Sequence, residues 1–346
     1  MSIYKSMILA ASLFLFTTGH TQEKVTFIKK DQEKKVDILV GGQFFTSYLY
    51  TDNIDKPVLF PLNTSSGITL SRGFPLAPRP NERTDHPHHI GLWFNYGDVN
   101  GLDFWNNSYA IKEADKHKYG SIRHQQILKM EEGKNKGVLV IAADWIDAKG
   151  NILLKEVTTF IISGKAGTRS IERSSVLTAQ KEKVLFKDNK EGMLGMRVCR
   201  ELEIPTDKPE VYTDAQGNPT KVATLNNEGV TGTFLTSEGK TGNEAWGTRG
   251  KWCLMYGRKN DTPVSVAIID HADNPGYPTY WHARGYGLFA ANTLGQEALS
   301  GGREKLNFSL EPGQATTFRY KIVLSDGAIP AAAELDSAAA AFSKAK

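Results

Sequence analysis

Val138-Leu139-Val140-Ile141-Ala142-Ala143-Asp144-Trp145 and Lys155-Glu156-Val157-Thr158-Thr159-Phe160-Ile161-Ile162 stand on either side of Asp147-Ala148-Lys149-Gly150-Asn151. The two outer runs are rich in apolar and β-branched residues, and the five between them are turn formers. The unit therefore reads as a β-hairpin. Runs of the same kind recur outward from it. Upstream they cover residues 25–28, 36–40 and 44–50, separated by Gly41-Gly42 and Asp52-Asn53. Downstream they cover residues 169–178, 263–270, 305–310 and 316–324. Strand signals at this density, with little helical periodicity, predict an all-β fold: a large two-sheet β-sandwich. One helix is expected, over residues 329–346, rich in Ala and opened by Pro330, packed outside the sheets. Residues 204–251, rich in Gly, Asn, Thr and Glu, read as long loops of the kind that build a site or its rim. No repeat or break in composition divides the chain, so residues 22–346 are expected to form a single domain.

The chain of 346 residues opens with Lys5 ahead of an apolar run over residues 7–16, then turns small and polar through Thr17-Thr18-Gly19-His20-Thr21-Gln22. That pattern predicts a secretory signal peptide over residues 1–21, and so a periplasmic or secreted protein. The apolar run is too short to span a bilayer, and no later stretch suggests membrane insertion. A net charge of +4, spread without a basic block, argues against nucleic acid and anionic membrane surfaces as partners. Cys199 and Cys253 lie in apolar strand-like runs, where either a disulfide or two buried thiols would be ordinary.

Three of the eight histidines fall in Asp85-His86-Pro87-His88-His89, just before the strand-like Leu92-Trp93-Phe94. Each buried imidazole nitrogen needs a hydrogen-bond partner, so a core strand has no use for such a cluster at its end. In an extended chain His86 and His88 share one face and His89 takes the other. The cluster could move protons, bind hydroxyls, or hold a divalent metal with His86, His88 and a third ligand such as His282. A structural cluster bonded to loop carbonyls is the remaining reading.

Other candidates lie apart in sequence. Near the C-terminal end, Asp270-His271 closes one strand and Tyr280-Trp281-His282-Ala283-Arg284-Gly285-Tyr286 opens another. His282 is a candidate catalytic residue. Arg284 would suit a carboxylate or an oxyanion, and His271, Tyr280, Trp281 and Tyr286 could line a sugar groove unless the aromatics are core. Lys190-Glu191 and Arg197 flank a third apolar run; Glu191 is the carboxylate candidate for acid–base work, with a surface ion pair as the alternative. Arg72 lies just upstream of the histidines; Asp103 and Trp105 lie just downstream. No phosphate-binding loop, dinucleotide fingerprint or nucleophile elbow is present.

The blocks 85–94, 97–105, Lys190-Glu191-Gly192 with Arg197, Trp246-Gly247-Thr248-Arg249 and 270–292 together resemble a family of exported bacterial proteins. It is labelled methane oxygenase PmoA-like and is otherwise of unknown function. The label does not fit a chain with no membrane span beyond its leader. The family is similar in its β-rich pattern to galactose-mutarotase-like super-sandwiches, which hold sugars in an open groove. The resemblance therefore implies a carbohydrate ligand met by His, Arg and a carboxylate.

These readings converge on an exported carbohydrate-active enzyme. Its catalytic candidates are His86, His88, His89, Glu191 and His282. Arg72, Lys190, Arg197, His271, Tyr280, Trp281 and Arg284 are expected to bind substrate. Hydrolysis, elimination and epimerisation all remain open. The rivals are a non-catalytic carbohydrate-binding protein and a metal-dependent enzyme.

Overall fold

The computed structural model describes residues 22–344. The expected signal peptide, and the last two residues of the expected C-terminal helix, lie outside the described residues. Two eight-stranded antiparallel sheets face each other. In spatial order the first sheet runs Val25–Lys30, Lys35–Val40, Gln43–Leu49, Val58–Phe60, Leu92–Tyr96, Gly192–Arg197, Leu288–Asn292 and Tyr280–Arg284. The second runs Thr233–Thr236, Trp252–Lys259, Thr262–Asp270, Ala315–Asp326, Thr168–Ala179, Ile152–Lys165, Lys136–Ile146 and Ser121–Glu131.

The hairpin that suggests the fold forms as read. Lys136–Ile146 buries every second side chain, among them Leu139, Ile141, Ala143 and Trp145, which is the period of a strand with one face in a core. At its turn the Asp147 carboxylate accepts the N–H groups of Lys149 and Asn151. Gly150 takes φ +85°, where a β-carbon would be strained. The core lies between the sheets. Phe94, Leu194, Trp281 and Phe289 from the first sheet join Trp145, Phe160, Phe318 and Tyr320 from the second. One ion pair is buried there: Arg173 donates to Glu156 at 2.7 Å, and the Trp145 indole donates to the same carboxylate at 2.8 Å. Cys199 and Cys253 are buried free thiols, and burial pushes Cys199 up to about 12.

Several elements differ from expectation. Residues 204–251 are not loops throughout; they contain the strands Glu210–Thr213, Pro219–Thr224 and Thr233–Thr236. These are too short for alternation to stand out against a polar composition. Within residues 305–310 only Phe308–Leu310 is strand. The helix is Ala332–Phe342, and Pro330 stays outside it, just ahead of the Ala331 cap. Leu335, Ala339 and Phe342 seat it on Trp252, Leu254, Ala267 and Ile269 of the second sheet. Residues 85–91 are not extended. His86 has φ +46°, and the His89 N–H closes back on the His86 carbonyl at 3.0 Å, so the chain turns before the strand begins at Leu92. Among the described residues no helix is long and apolar enough to cross a membrane.

Candidate functional site

Directly paired residues share a face of a sheet. Across the first sheet Phe94 pairs with Leu194, Leu194 with Ala291, and Ala291 with Trp281; this row faces the core. One step along, Trp93 pairs with Gly195, Gly195 with Ala290, and Ala290 with His282, so this row lies on the outer face. Arg197, Leu288 and Arg284 make the next outer row. Gly195 is required here. A β-carbon on it would stand 2.5 Å from the Trp93 ring and 2.8 Å from the Trp105 ring, so only glycine lets both indoles lie against the sheet.

The histidine turn is fastened to this face by two buried arginines. Arg72 donates to the carbonyls of Asp85 and His86 at 2.8 Å, of His89 at 3.1 Å and of Arg83 at 3.2 Å, and to the Asp85 carboxylate at 3.0 Å. Arg197 donates to the same carboxylate at 2.7 Å and to His89 Nδ1 at 3.2 Å. The other Asp85 oxygen accepts the His86 Nδ1–H. Despite the opposing effect of burial, Arg197, the His86 bond and Arg72 hold the Asp85 carboxyl well below the usual range. Arg72 and Arg197 were expected to bind substrate. Both are fully buried, and their hydrogen bonds go to the turn, so they set its shape instead. Arg83 anchors it further through Glu203 at 2.7 Å and Glu210 at 2.8 Å.

The turn collects all three imidazoles in one cluster rather than dividing them between faces. His86 and His89 stack at 4.8 Å, and His88 meets His89 edge-on at 4.3 Å. From there flat groups close a circuit. His86 stacks on Tyr286 at 5.1 Å, and Arg284 lies 5.9 Å from Tyr286 and 4.6 Å from Trp246. Trp246 meets His282 at 4.8 Å, His282 faces Trp105 at 6.5 Å, and Trp105 returns to His89 at 5.8 Å. The two histidine-bearing segments thus meet on one face of one sheet.

Hydrogen-bond partners fix the tautomers. His86 and His282 each donate through Nδ1, the latter to the Lys190 carbonyl at 2.9 Å, so in the neutral ring Nε2 is the atom with the lone pair. His89 accepts at Nδ1 from Arg197, so its Nε2 carries the proton. Burial, aided by Lys56, pushes His88 down to about 2; burial, aided by Lys190 and Arg284, pushes His282 down to about 3. His89 lies well below its ordinary range, again chiefly through burial. These three rings are neutral. His86 is the one of the four with an open ring, its side chain 40% exposed.

The remaining candidates separate. Glu191 is ion-paired with Lys190 and brings its second oxygen to 3.7 Å from His282 Nδ1, at the edge of the circuit. Trp281 is core, packed on Phe289. Tyr280 is buried beneath Arg249 at 5.4 Å, beyond His282 on the same strand face. His271 directly follows the second-sheet strand Thr262–Asp270 and meets Phe342 of the helix at 4.9 Å; it is not part of this site. Among the described residues no group of three or more His, Cys, Asp or Glu could hold a metal ion, so His86, His88 and His282 do not form a ligand set. Lys56 carries no sequence signal, yet its buried ammonium donates to the His88 carbonyl at 2.8 Å and stands 5.7 Å from the Trp93 ring. Burial lowers it to about 8 against the pull of Asp55 and Asp103. In the sequence Trp246 stands out only through the block Trp246-Gly247-Thr248-Arg249 that carries the family resemblance, not as a site residue. With Arg284 and Tyr286 it also lines a cleft of about 390 Å³, to which residues 204–208 contribute.

The family that matches the sequence, over residues 35–340, is described as Family of unknown function (DUF6807). The chain belongs to this family. No curated protein matches it. Among solved structures it is similar to the galactosidase domain of the α-galactosidase–sucrose kinase AgaSK, with 9% identity, TM-score 0.41 and coverage of 87% of this chain and 41% of that one. It is also similar to the GH36 α-galactosidase AgaA from Geobacillus stearothermophilus, with 10% identity, TM-score 0.39 and coverage of 88% and 40%. A galactose mutarotase-like protein from Clostridium acetobutylicum gives 12% identity, TM-score 0.33 and coverage of 87% and 98%. The chain spans about two fifths of the length of the two galactosidases. Likeness this remote carries no argument about the chemistry of this DUF6807 chain.

Proposed function

We propose that the protein is an exported carbohydrate-active enzyme that holds a sugar or glycoside against the planar wall of this site and moves a proton with His86. The observation that carries the reading is the closed circuit of flat groups with one open, carboxylate-backed imidazole in it. Aromatic faces of Tyr286 and Trp246 suit the C–H face of a pyranose, an apolar surface with a polar rim. Asp85, itself fixed by two arginines, orients His86 so that Nε2 can accept a proton, the arrangement expected of a general base. His282, held neutral, supplies an acceptor for a sugar hydroxyl. Of the carboxylates around the circuit, Asp85 is held by Arg72 and Arg197, Glu191 by Lys190 and Glu210 by Arg83, which favours an imidazole over the paired carboxylates of ordinary glycoside hydrolysis as the proton carrier. Elimination or epimerisation suits the set better.

The test is turnover over a panel of glycans and glycosides, with products followed by mass spectrometry. His86→Ala should lower turnover by about 10²–10⁴-fold with little change in melting temperature, because that ring is the exposed one. Full turnover in that variant removes the reading. Binding without turnover across the panel would point to a carbohydrate-binding module instead.

A further inference from the structure

Charge pairing at this site leaves one guanidinium over. Arg72, Arg83 and Arg197 are matched by Asp85, Glu203 and Glu210, and Lys190 by Glu191. Arg284 has no carboxylate partner among the described residues. It is not loose either: it leaves the end of the strand Tyr280–Arg284 and its guanidinium carbon stands 4.6 Å over the Trp246 ring, on the wall that also bears His86. A planar guanidinium held on an aromatic face has its fork of N–H groups aligned in advance, and that fork matches a carboxylate. The deeper part of the cluster has the same bias. The His89 Nε2–H and the indole N–H groups of Trp93 and Trp105, all fully buried, have no acceptor among the described residues. The Lys56 ammonium beside them binds only a carbonyl.

We infer that the substrate is a sugar acid, a uronic acid or uronate-bearing glycan, whose carboxylate lies on Arg284. This rests on the carbohydrate reading above and narrows it. It also supplies what an imidazole base needs. A neutral pyranose offers no acidic C–H, whereas the carbon next to a carboxylate does once a cation neutralises that carboxylate. His86 Nε2 takes this proton, and the electron pair moves into the carboxylate as an enediolate facing Arg284. Its return forms a C=C bond as the C–O bond on the neighbouring carbon breaks. The departing oxygen then takes the proton back from His86. Charge and electrons balance, with no oxidant or metal required.

Ligand-observed NMR and calorimetry with the methyl glycosides of glucuronic and galacturonic acid, set against those of glucose and galactose, test the inference. At least one acid should bind about tenfold more tightly than its neutral partner, the worth of one charge-assisted contact. The preference should weaken at high salt. It should vanish in Arg284→Gln, an exposed position whose substitution should leave the melting temperature unchanged. Equal or tighter binding of the neutral glycosides, or a preference that survives Arg284→Gln, overturns the inference. If neutral glycosides bind at least as tightly as the acids and Trp246→Ala abolishes that binding, the carbohydrate reading stands while the acid preference falls. If none of the four binds, both fall.

Discussion

Gly195 shows how much of the site hangs on a single missing methyl. Two indoles occupy the space above it, and Trp105 is in turn fixed by Asp103, which accepts the backbone N–H groups of Trp105 and Asn106 at 2.9 Å. Gly195→Ala should therefore displace Trp93 or Trp105, cost about 1–3 kcal/mol in urea unfolding, and abolish glycan binding. Unchanged unfolding and binding would mean that the indoles do not rest there. Arg72→Lys tests the fastening of the turn. An ammonium cannot reproduce a fork that serves four carbonyls and a carboxylate, so at least about 2 kcal/mol should be lost; a melt matching wild type would show that the turn holds without it. Composition marked the histidines, because three imidazoles at a strand end have no packing role. It did not mark how they sit. The alternation rule placed His89 opposite its neighbours, and His86 defeats it by taking a positive φ. Nor could Arg72 be told from a ligand-binding arginine, because its partners are carbonyls of residues 83–89, which only folding brings within reach.

At the scale of elements, legibility followed length and contrast. The long strands Lys136–Ile146, Ile152–Lys165 and Thr168–Ala179 read clearly, since each buries one face and alternates over many residues. Glu210–Thr213 and Pro219–Thr224 did not, because they are short and form a two-stranded pair outside both large sheets. The helix Ala332–Phe342 was seen for its alanines, and its role follows from three residues on one stripe. Leu335→Ala should cost about 2–5 kcal/mol by removing a buried contact with the second sheet. Because that sheet lies across the core from the histidine circuit, glycan binding below the unfolding transition should be unaffected. Lost binding in a folded Leu335→Ala protein would show that the helix communicates with the site.

Over the whole molecule, the buried rings make stability depend on pH with a definite sign. His88, His89, His124 and His282 all titrate below their ordinary range in the folded protein, and burial is the leading cause in each. Unfolded, they bind protons near pH 6.5. Between that value and their folded values, about 4 for His124, 3 for His282 and 2 for His88, the unfolded chain holds protons that the native one lacks. Stability therefore falls as pH falls through this window. Asp85, depressed by its arginines, adds loss of the same sign below about pH 4. Asp270 acts the other way: burial raises it to about 7, so the folded protein binds a proton there that the unfolded chain has lost. Asp103 and Glu203 are raised as well. Across pH 6.5 to 4 four imidazoles act against the raised carboxyls of Asp270, Asp103 and Glu203, so the melting temperature should drop on acidification. His282→Gln, which cannot take up a proton in either state, should shallow that slope whatever its own cost at neutral pH. A melting temperature that is flat or rises over the same window would mean that these rings are charged or open to water in the folded protein, and the neutral, closely packed site would then be lost with them.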